Sequence, residues 1–470
     1  MHRMNALDAG MFFAENGTTP LQIGTVSVFE GPAPEYPELV REIFARLRLA
    51  PRCRQRVRTV PFNLAHPVWV DDVHFTMEDH VRHTAVAPPG GPAELHDLAS
   101  RLLGRRLDLT RSPWEVWLVE GLPDGRWALI SKVHHCMVDG IAGIDLLAVL
   151  LDTDPDWTPA DPHAWTPAPE PSTRAVLRDG LADGLKGFAG QATRLFTPVL
   201  RDSVATAKAV PAYASRLLNS GTSSLNGPTV VSRRWSRAHA GMDEIDTIRR
   251  AFGGSVNDVA LAAAASGFRD LLAARGALTS SSVVRTLVPV SVRSTGERGE
   301  LSNRVSALLC DLPCGEDDPL RRLQSIRDQM DGLKSSGQAA GADSFVRLAG
   351  GAPGLLAAAA RTALRLRQPL IHTIVTNVPG PPFPLYSMGR RMLEMDPYIP
   401  IAAGLRVSIG VVSYDGGVSF GVTGDHEAVP DLGTLCAGIR DGIDELLKEV
   451  PSVPAHWKED RTSSTREERT

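Results

Sequence analysis

Cysteine is scarce, with five residues in a chain of 470: Cys53, Cys136, Cys310, Cys314 and Cys436. The number is odd and the positions are mostly scattered, which excludes a disulfide framework and fits a reducing compartment. Cys310 and Cys314 form a lone pair without the second pair a zinc site needs, and are expected to be two small residues at a strand end. Long apolar runs are also missing. The nearest approach, Ala352 to Leu366, is broken by Arg361 and falls short of the roughly 18 residues that a spanning helix requires. The opening stretch carries Asp8 and Glu15 among its apolar residues and lacks the uninterrupted core of a signal peptide. Neither sign of charge dominates: 50 Lys and Arg against 54 Asp and Glu leave a formal net charge of −4, so the broad basic field of a nucleic-acid binder is absent.

The composition that remains is that of a folded protein, 43% hydrophobic and 22% charged, and at roughly 100–200 residues per domain the chain is long enough for more than one core. Proline concentrates at Pro155, Pro159, Pro162, Pro167, Pro169 and Pro171, among Asp152, Asp154, Asp156 and Asp161, a stretch with too little apolar surface to fold and the stiffness of a linker. Beyond it, Arg174 to Leu218 is rich in Ala and Leu, is interrupted by Pro198 and Pro211, and is moderately amphipathic, which suits either an inter-lobe helix or contact with a lipid surface through Leu195 and Phe196. Strands are expected near Leu21–Glu30, Trp127–Val133, Val284–Val292, Arg304–Leu312, His372–Val378, Arg406–Tyr414 and Gly417–Thr423. Helices are expected near Tyr36–Leu49, Ala93–Arg106, Val256–Arg275 and Asp431–Glu449. This interleaving predicts an α/β or α+β layered fold. It divides into an N-terminal lobe over 1–151, a linker and helical crossover over 152–221, a C-terminal lobe over 222–456 and a frayed charged tail over 457–470.

One segment stands out for chemistry. The apolar strand from Trp127 runs straight into His134 and His135, followed by Asp139 and Gly140. Strand ends that feed loops hold side chains rigidly where substrate can reach them, and a histidine there can act as a base near neutral pH. On these residues alone, a core histidine beside a surface one is the simpler reading, and no local spacing supplies the further ligands of a metal site.

The segment His134-His135-Cys136-Met137-Val138-Asp139-Gly140 matches the HHxxxDG signature of the bacterial wax ester synthase/diacylglycerol acyltransferase family, and similar segments recur in the family's order along essentially the whole chain. These include Leu7-Asp8-Ala9, Ile23-Gly24-Thr25, Ser224 to Pro228, Asn257 to Ala262, Val288 to Arg293, Asn303 to Ser306 and Thr376 to Pro381. The segment Arg111 to Trp117 resembles the family's Pro-Leu-Trp element but lacks its leucine, and Trp114 and Trp117 are expected to serve apolar packing. Within the family the sequence is most similar to the actinobacterial triacylglycerol synthases.

The resemblance implies two chloramphenicol-acetyltransferase-like lobes, each a mixed sheet flanked by helices, around a channel. It also implies transfer of a long-chain acyl group from acyl-CoA, as co-substrate and without cofactor or metal, to the hydroxyl of diacylglycerol or of a fatty alcohol. His135 is then the general base and His134 its support, and no acyl-enzyme is needed. Asp139 orients the loop by pairing with Arg293 or Arg304, or caps the helix after Gly140. Asn257, Asp258 and Asn377 are candidates for stabilising the oxyanion or positioning substrate, with turn formation and helix capping as their structural alternatives. The lipid substrates imply a cytoplasmic protein attached peripherally to the inner membrane or lipid bodies. Two rivals remain. One is a catalytically idle lipid-surface protein. The other is a serine lipase, suggested by the GxSxG at Gly417 to Gly421 with Asp425 and His426 behind it; the turn at Tyr414 to Gly417 and the alternation of Val418, Phe420 and Val422 point instead to a hairpin strand.

Overall fold

The computed structural model describes residues 2–137, 150–160, 164–180, 182, 224–291, 305–335 and 371–450. The first half contains β1 (His2–Arg3), α1 (Ala6–Ala14), β2 (Gln22–Phe29), α2 (Tyr36–Arg46), β3 (Gln55–Arg58), β4 (Val68–Asp71), β5 (Val81–Ala85), α3 (Pro92–Gly104), β6 (Trp114–Glu120) and β7 (Trp127–His134). The second contains β8 (Arg233–Gly241), α4 (Met242–Phe252), α5 (Val256–Ala274), β9 (Val284–Ser291), β10 (Val305–Leu312), α6 (Pro319–Ser335), β11 (Thr373–Pro379), β12 (Tyr386–Ser387), β13 (Arg390–Tyr398), β14 (Val407–Tyr414), β15 (Gly417–Asp425) and α7 (Leu432–Lys448).

Two six-stranded mixed sheets organise these elements, in the orders β12-β13-β2-β7-β6-β5 and β10-β9-β11-β14-β15-β8. The strand leading to the histidines is central, as its continuous apolar run requires: Leu129 and Val133 fall in the core that also holds Leu39 and Ile43 of α2, and Ala128 and Ile130 in the core beneath Leu95, Leu98 and Leu103 of α3. In the second lobe, α5 and α7 pack closely on one another. A Cβ at Gly267 would stand 2.6 Å from the Leu435 carbonyl, so only glycine permits this approach. The periodic face of α7 is buried as its spacing predicts, from Leu432 through Leu435 and Ile439 to Ile443 and Leu446.

The expected division at 222–456 does not follow the sheets. Strand β13 leaves the second half of the chain and pairs antiparallel with β2, from Met392 opposite Phe29 to Tyr398 opposite Gly24, so the first sheet is finished by late residues. The physical reason is that β2 otherwise has an unpaired edge. The proline-rich stretch is likewise not a free crossing. Asp152 pairs with Arg46 at 2.7 Å, Glu170 with Arg56 and Arg58, and Trp165 lies under the Arg54 guanidinium, which straps the described part of the segment along the first lobe. Beyond residue 182, the region suggested for lipid contact, including Leu195 and Phe196, lies outside the described residues, as does the tail. All five cysteines are free and buried, and burial pushes the Cys310 and Cys314 thiols up to about 12, as expected of packing residues.

Candidate active site

His134 ends β7 opposite Gln22 of β2 and is fully buried. Both its ring nitrogens are engaged. Nε2 lies 3.0 Å from the Glu15 Oε2, and Nδ1 accepts the Cys136 backbone N–H at 3.1 Å, which assigns the proton to Nε2 as donor to the carboxylate. Glu15 follows α1 directly, and its carboxylate also takes Arg106 Nη2 at 2.8 Å and the Leu21 N–H at 3.1 Å. Burial acts to raise the Glu15 carboxyl, but the hydrogen bonds it accepts from His134, Arg106 and the Leu21 N–H outweigh it and hold it below its usual range.

His135 is the next residue, half-buried, at the start of the turn that follows the strand. Its backbone N–H donates to the Leu21 carbonyl at 2.8 Å, and the turn is closed by the Met137 N–H on the His134 carbonyl at 2.9 Å. Both histidines are therefore fixed by backbone bonds, with side chains of adjacent residues diverging from one strand end. Asp139 and Gly140 lie outside the described residues, as do their candidate partners Arg293 and Arg304.

Of the three later candidates, Asn377 lies on a strand that contributes to the same apolar cluster as this turn. It sits half-buried in β11, paired alongside Val411 of β14. Its neighbour Val378 packs on the same apolar cluster as Val133 and Met137, which flank the histidines. That cluster takes residues from both halves of the chain, so the strand end that bears the histidines and the strand that holds Asn377 border one apolar core at the seam between lobes. Asn257 is the second residue of α5, beside Val256 and Val259 in the separate core of the second lobe. Asp258 closes a capping box: its Oδ2 takes the Ser255 N–H at 2.7 Å, and the Ser255 Oγ accepts the Asp258 N–H at 3.3 Å. Its observed role is thus helix capping. Trp114 packs as expected, stacked on His80 at 4.7 Å with its indole N–H on the Cys53 carbonyl.

The GxSxG segment forms strand β15 of a hairpin with β14, not a nucleophile elbow. Ser419 is buried and its Oγ donates to Asp396 Oδ1 at 2.5 Å. That carboxylate also pairs with Arg237 and lies 3.0 Å from His239 Nε2, so the serine touches the acid and not an imidazole that could take its proton. The second glycine has a packing reason, since a Cβ at Gly421 would overlap the Pro397 carbonyl of β13. Asp425 accepts the N–H groups of Val230 and Ala428 and so organises a turn. His239, Glu394 and Asp396 present ligand-type atoms within 4.8 Å of one another, but Arg237 already binds both carboxylates.

The arrangement of two lobes and sheets is shared with a condensation domain of the calcium-dependent antibiotic synthetase, at a TM-score of 0.61 and 17% identity over 96% of this chain and 97% of that one. The fold is therefore the two-lobed, mixed-sheet architecture of that domain. The chain itself belongs to the wax ester synthase/diacylglycerol acyltransferase family, whose catalytic domain matches residues 4–260 and whose C-terminal domain matches residues 301–447. A probable diacylglycerol O-acyltransferase of Mycobacterium tuberculosis is 38% identical over 451 residues, covering 95% of this chain and 96% of that protein. The solved wax ester synthase/diacylglycerol acyltransferase of Marinobacter aquaeolei superposes with a TM-score of 0.66 at 25% identity, over 95% of this chain and 99% of that one.

Proposed function

We propose that this protein moves a long-chain acyl group from acyl-CoA to the free hydroxyl of diacylglycerol, forming triacylglycerol. The observation that carries the mechanism is the engagement of both His134 ring nitrogens, which leaves the role of base to His135. A hydroxyl is a weak nucleophile at neutral pH, so His135 takes its proton as the oxygen attacks the thioester carbonyl. The carbonyl oxygen gains negative charge and is stabilised by the Asn377 side-chain amide at the seam. Collapse of the tetrahedral species breaks the carbon–sulfur bond, and His135 returns the proton to the departing thiolate. The acyl group passes directly between substrates, and neither metal nor cofactor enters the scheme. The buried Glu15–His134 pair anchors the strand end from which His135 projects.

No helix among the described residues is long and apolar enough to cross a membrane. With both lipid substrates at interfaces, we place the protein at the cytoplasmic face of the membrane or at lipid bodies as a peripheral protein. Fatty alcohol is a second acceptor in this reading, favoured by the likeness to the Marinobacter protein, since an apolar pocket discriminates weakly between two hydroxyl-bearing lipids. Product analysis with palmitoyl-CoA, diacylglycerol and hexadecanol in competition tests both statements. Triacylglycerol is expected as the main product; wax ester alone overturns the acceptor assignment, and free palmitate alone overturns acyl transfer.

A further inference from the structure

A groove of about 940 Å³ opens between α3 of the first lobe and β8 with the first turn of α7 of the second. Arg101, Arg105, Arg233 and Arg234 line it, and Asp97 is the sole carboxylate in the lining. Arg233 is buried and anchored, its Nη2 donating to the Thr18 carbonyl at 2.6 Å, and Arg234 Nε donates to the His426 carbonyl at 3.0 Å. Arg101 and Arg105 differ: both are exposed, and among the described residues neither guanidinium has a carboxylate partner. The first turn of α7 adds the positive end of a helix dipole, and its cap residue Asp431 is drawn away to Arg275 at 2.5 Å. Arg233 is itself paired with Asp425, 3.7 Å away, so the positive field of the groove comes from Arg101, Arg105 and Arg234, in a chain whose net charge is −4.

Its position is as telling as its charge. The Arg105 carbonyl accepts from Gln22 Nε2 at 2.6 Å and from Lys132 Nζ at 2.8 Å, and Gln22 is the register partner of His134. One end of the groove thus abuts the strand end that bears the histidines. Neither diacylglycerol nor a fatty acyl chain carries charge, so neither uses a cluster of guanidinium groups. A phosphorylated carrier does, because arginine forks bind phosphate oxygens with charge-assisted hydrogen bonds.

We propose that this groove binds the phosphorylated nucleotide end of the acyl-CoA donor through Arg101 and Arg105, leaving the uncharged pantetheine arm to reach the histidine turn. This rests on the acyl-CoA reading above. The test uses the full chain and the double variant Arg101→Glu/Arg105→Glu, with folding checked by circular dichroism. CoA affinity is measured by calorimetry without acceptor, kinetics are measured with palmitoyl-CoA and with palmitoyl-pantetheine, and sedimentation is measured with phosphatidylglycerol vesicles. The variant is expected to bind CoA about tenfold more weakly or worse, with KM for palmitoyl-CoA raised alike. Palmitoyl-pantetheine, which lacks the phosphates of the nucleotide, is expected to serve both proteins equally.

Unchanged CoA affinity overturns the proposal, as does an equal loss on palmitoyl-pantetheine, which marks a merely structural effect. Loss of vesicle sedimentation with CoA affinity intact reassigns the groove to lipid headgroups. If the wild type binds CoA through these arginines yet transfers no acyl group, the groove stands and the acyltransferase reading falls. If the wild type transfers acyl groups and charge reversal changes nothing, the reverse holds. A wild type that binds no CoA overturns both.

Discussion

Replacing Glu15 with glutamine removes the anion that faces His134 while keeping the shape of the side chain. Because the Glu15 carboxyl is held below its usual range in the folded protein, its contribution to stability is present above the unfolded-state pKa, near 4.3, and is lost as pH falls through the lowered folded value. Chemical denaturation should therefore find Glu15→Gln less stable than wild type at pH 7, with the gap closing only under strongly acidic conditions; a constant gap at every pH contradicts this role. The histidine pair was legible in the sequence because an apolar strand ending in two histidines is an unusual pattern. Glu15 was not. In sequence it is only an acid interrupting an apolar stretch, and nothing local reveals that the chain between α1 and β2 returns it to a site 119 residues away. Asp258 shows the converse: its place three residues after Ser255 at the start of a helix already suits a cap, and it closes a capping box with that serine.

At the scale of elements, the strands that were foreseen are those whose residues are apolar on both faces, such as β7 and β14, or strictly alternating, such as β15. Among the strands that the pattern does not reveal, β8 and β13 carry Arg233, Arg237, Glu394 and Asp396, charges that make a segment look like loop until their partners on other strands are known. Pro397 near the end of β13 disguises it further. Three consequences are measurable. Ser255→Ala removes the N-cap of α5 and should cost about 1 kcal/mol of stability by urea denaturation; no change contradicts the cap's contribution. Gly421→Ala drives a methyl into the Pro397 carbonyl. Overpacking of this kind should cost on the order of 1–3 kcal/mol, read as a lowered Tm. Ser419→Ala, by contrast, should leave turnover near wild type, because Ser419 is a buried partner of Asp396.

For the molecule as a whole, the crossing of β13 onto β2 ties the halves together more firmly than a linker does. A fragment holding residues 1–221 leaves the β2 edge unpaired and is expected to aggregate on expression, and co-expression with 222–470 should restore soluble protein and activity. A soluble, monomeric 1–221 fragment contradicts this view of the architecture. The layered class and the two lobes could be read from interleaved strands and helices, but the exchange of a strand between them could not, since sheet partners so distant in sequence leave no local periodicity. The central claim is direct acyl transfer driven by His135. It is tested most directly by single-turnover formation of triacylglycerol from radiolabelled palmitoyl-CoA and diacylglycerol, comparing wild type with His135→Ala. The account predicts a loss of about 10²–10⁴-fold in the transfer rate, with no labelled protein at any time point. Retention of the rate by His135→Ala, or a labelled acyl-enzyme that decays into product, contradicts it.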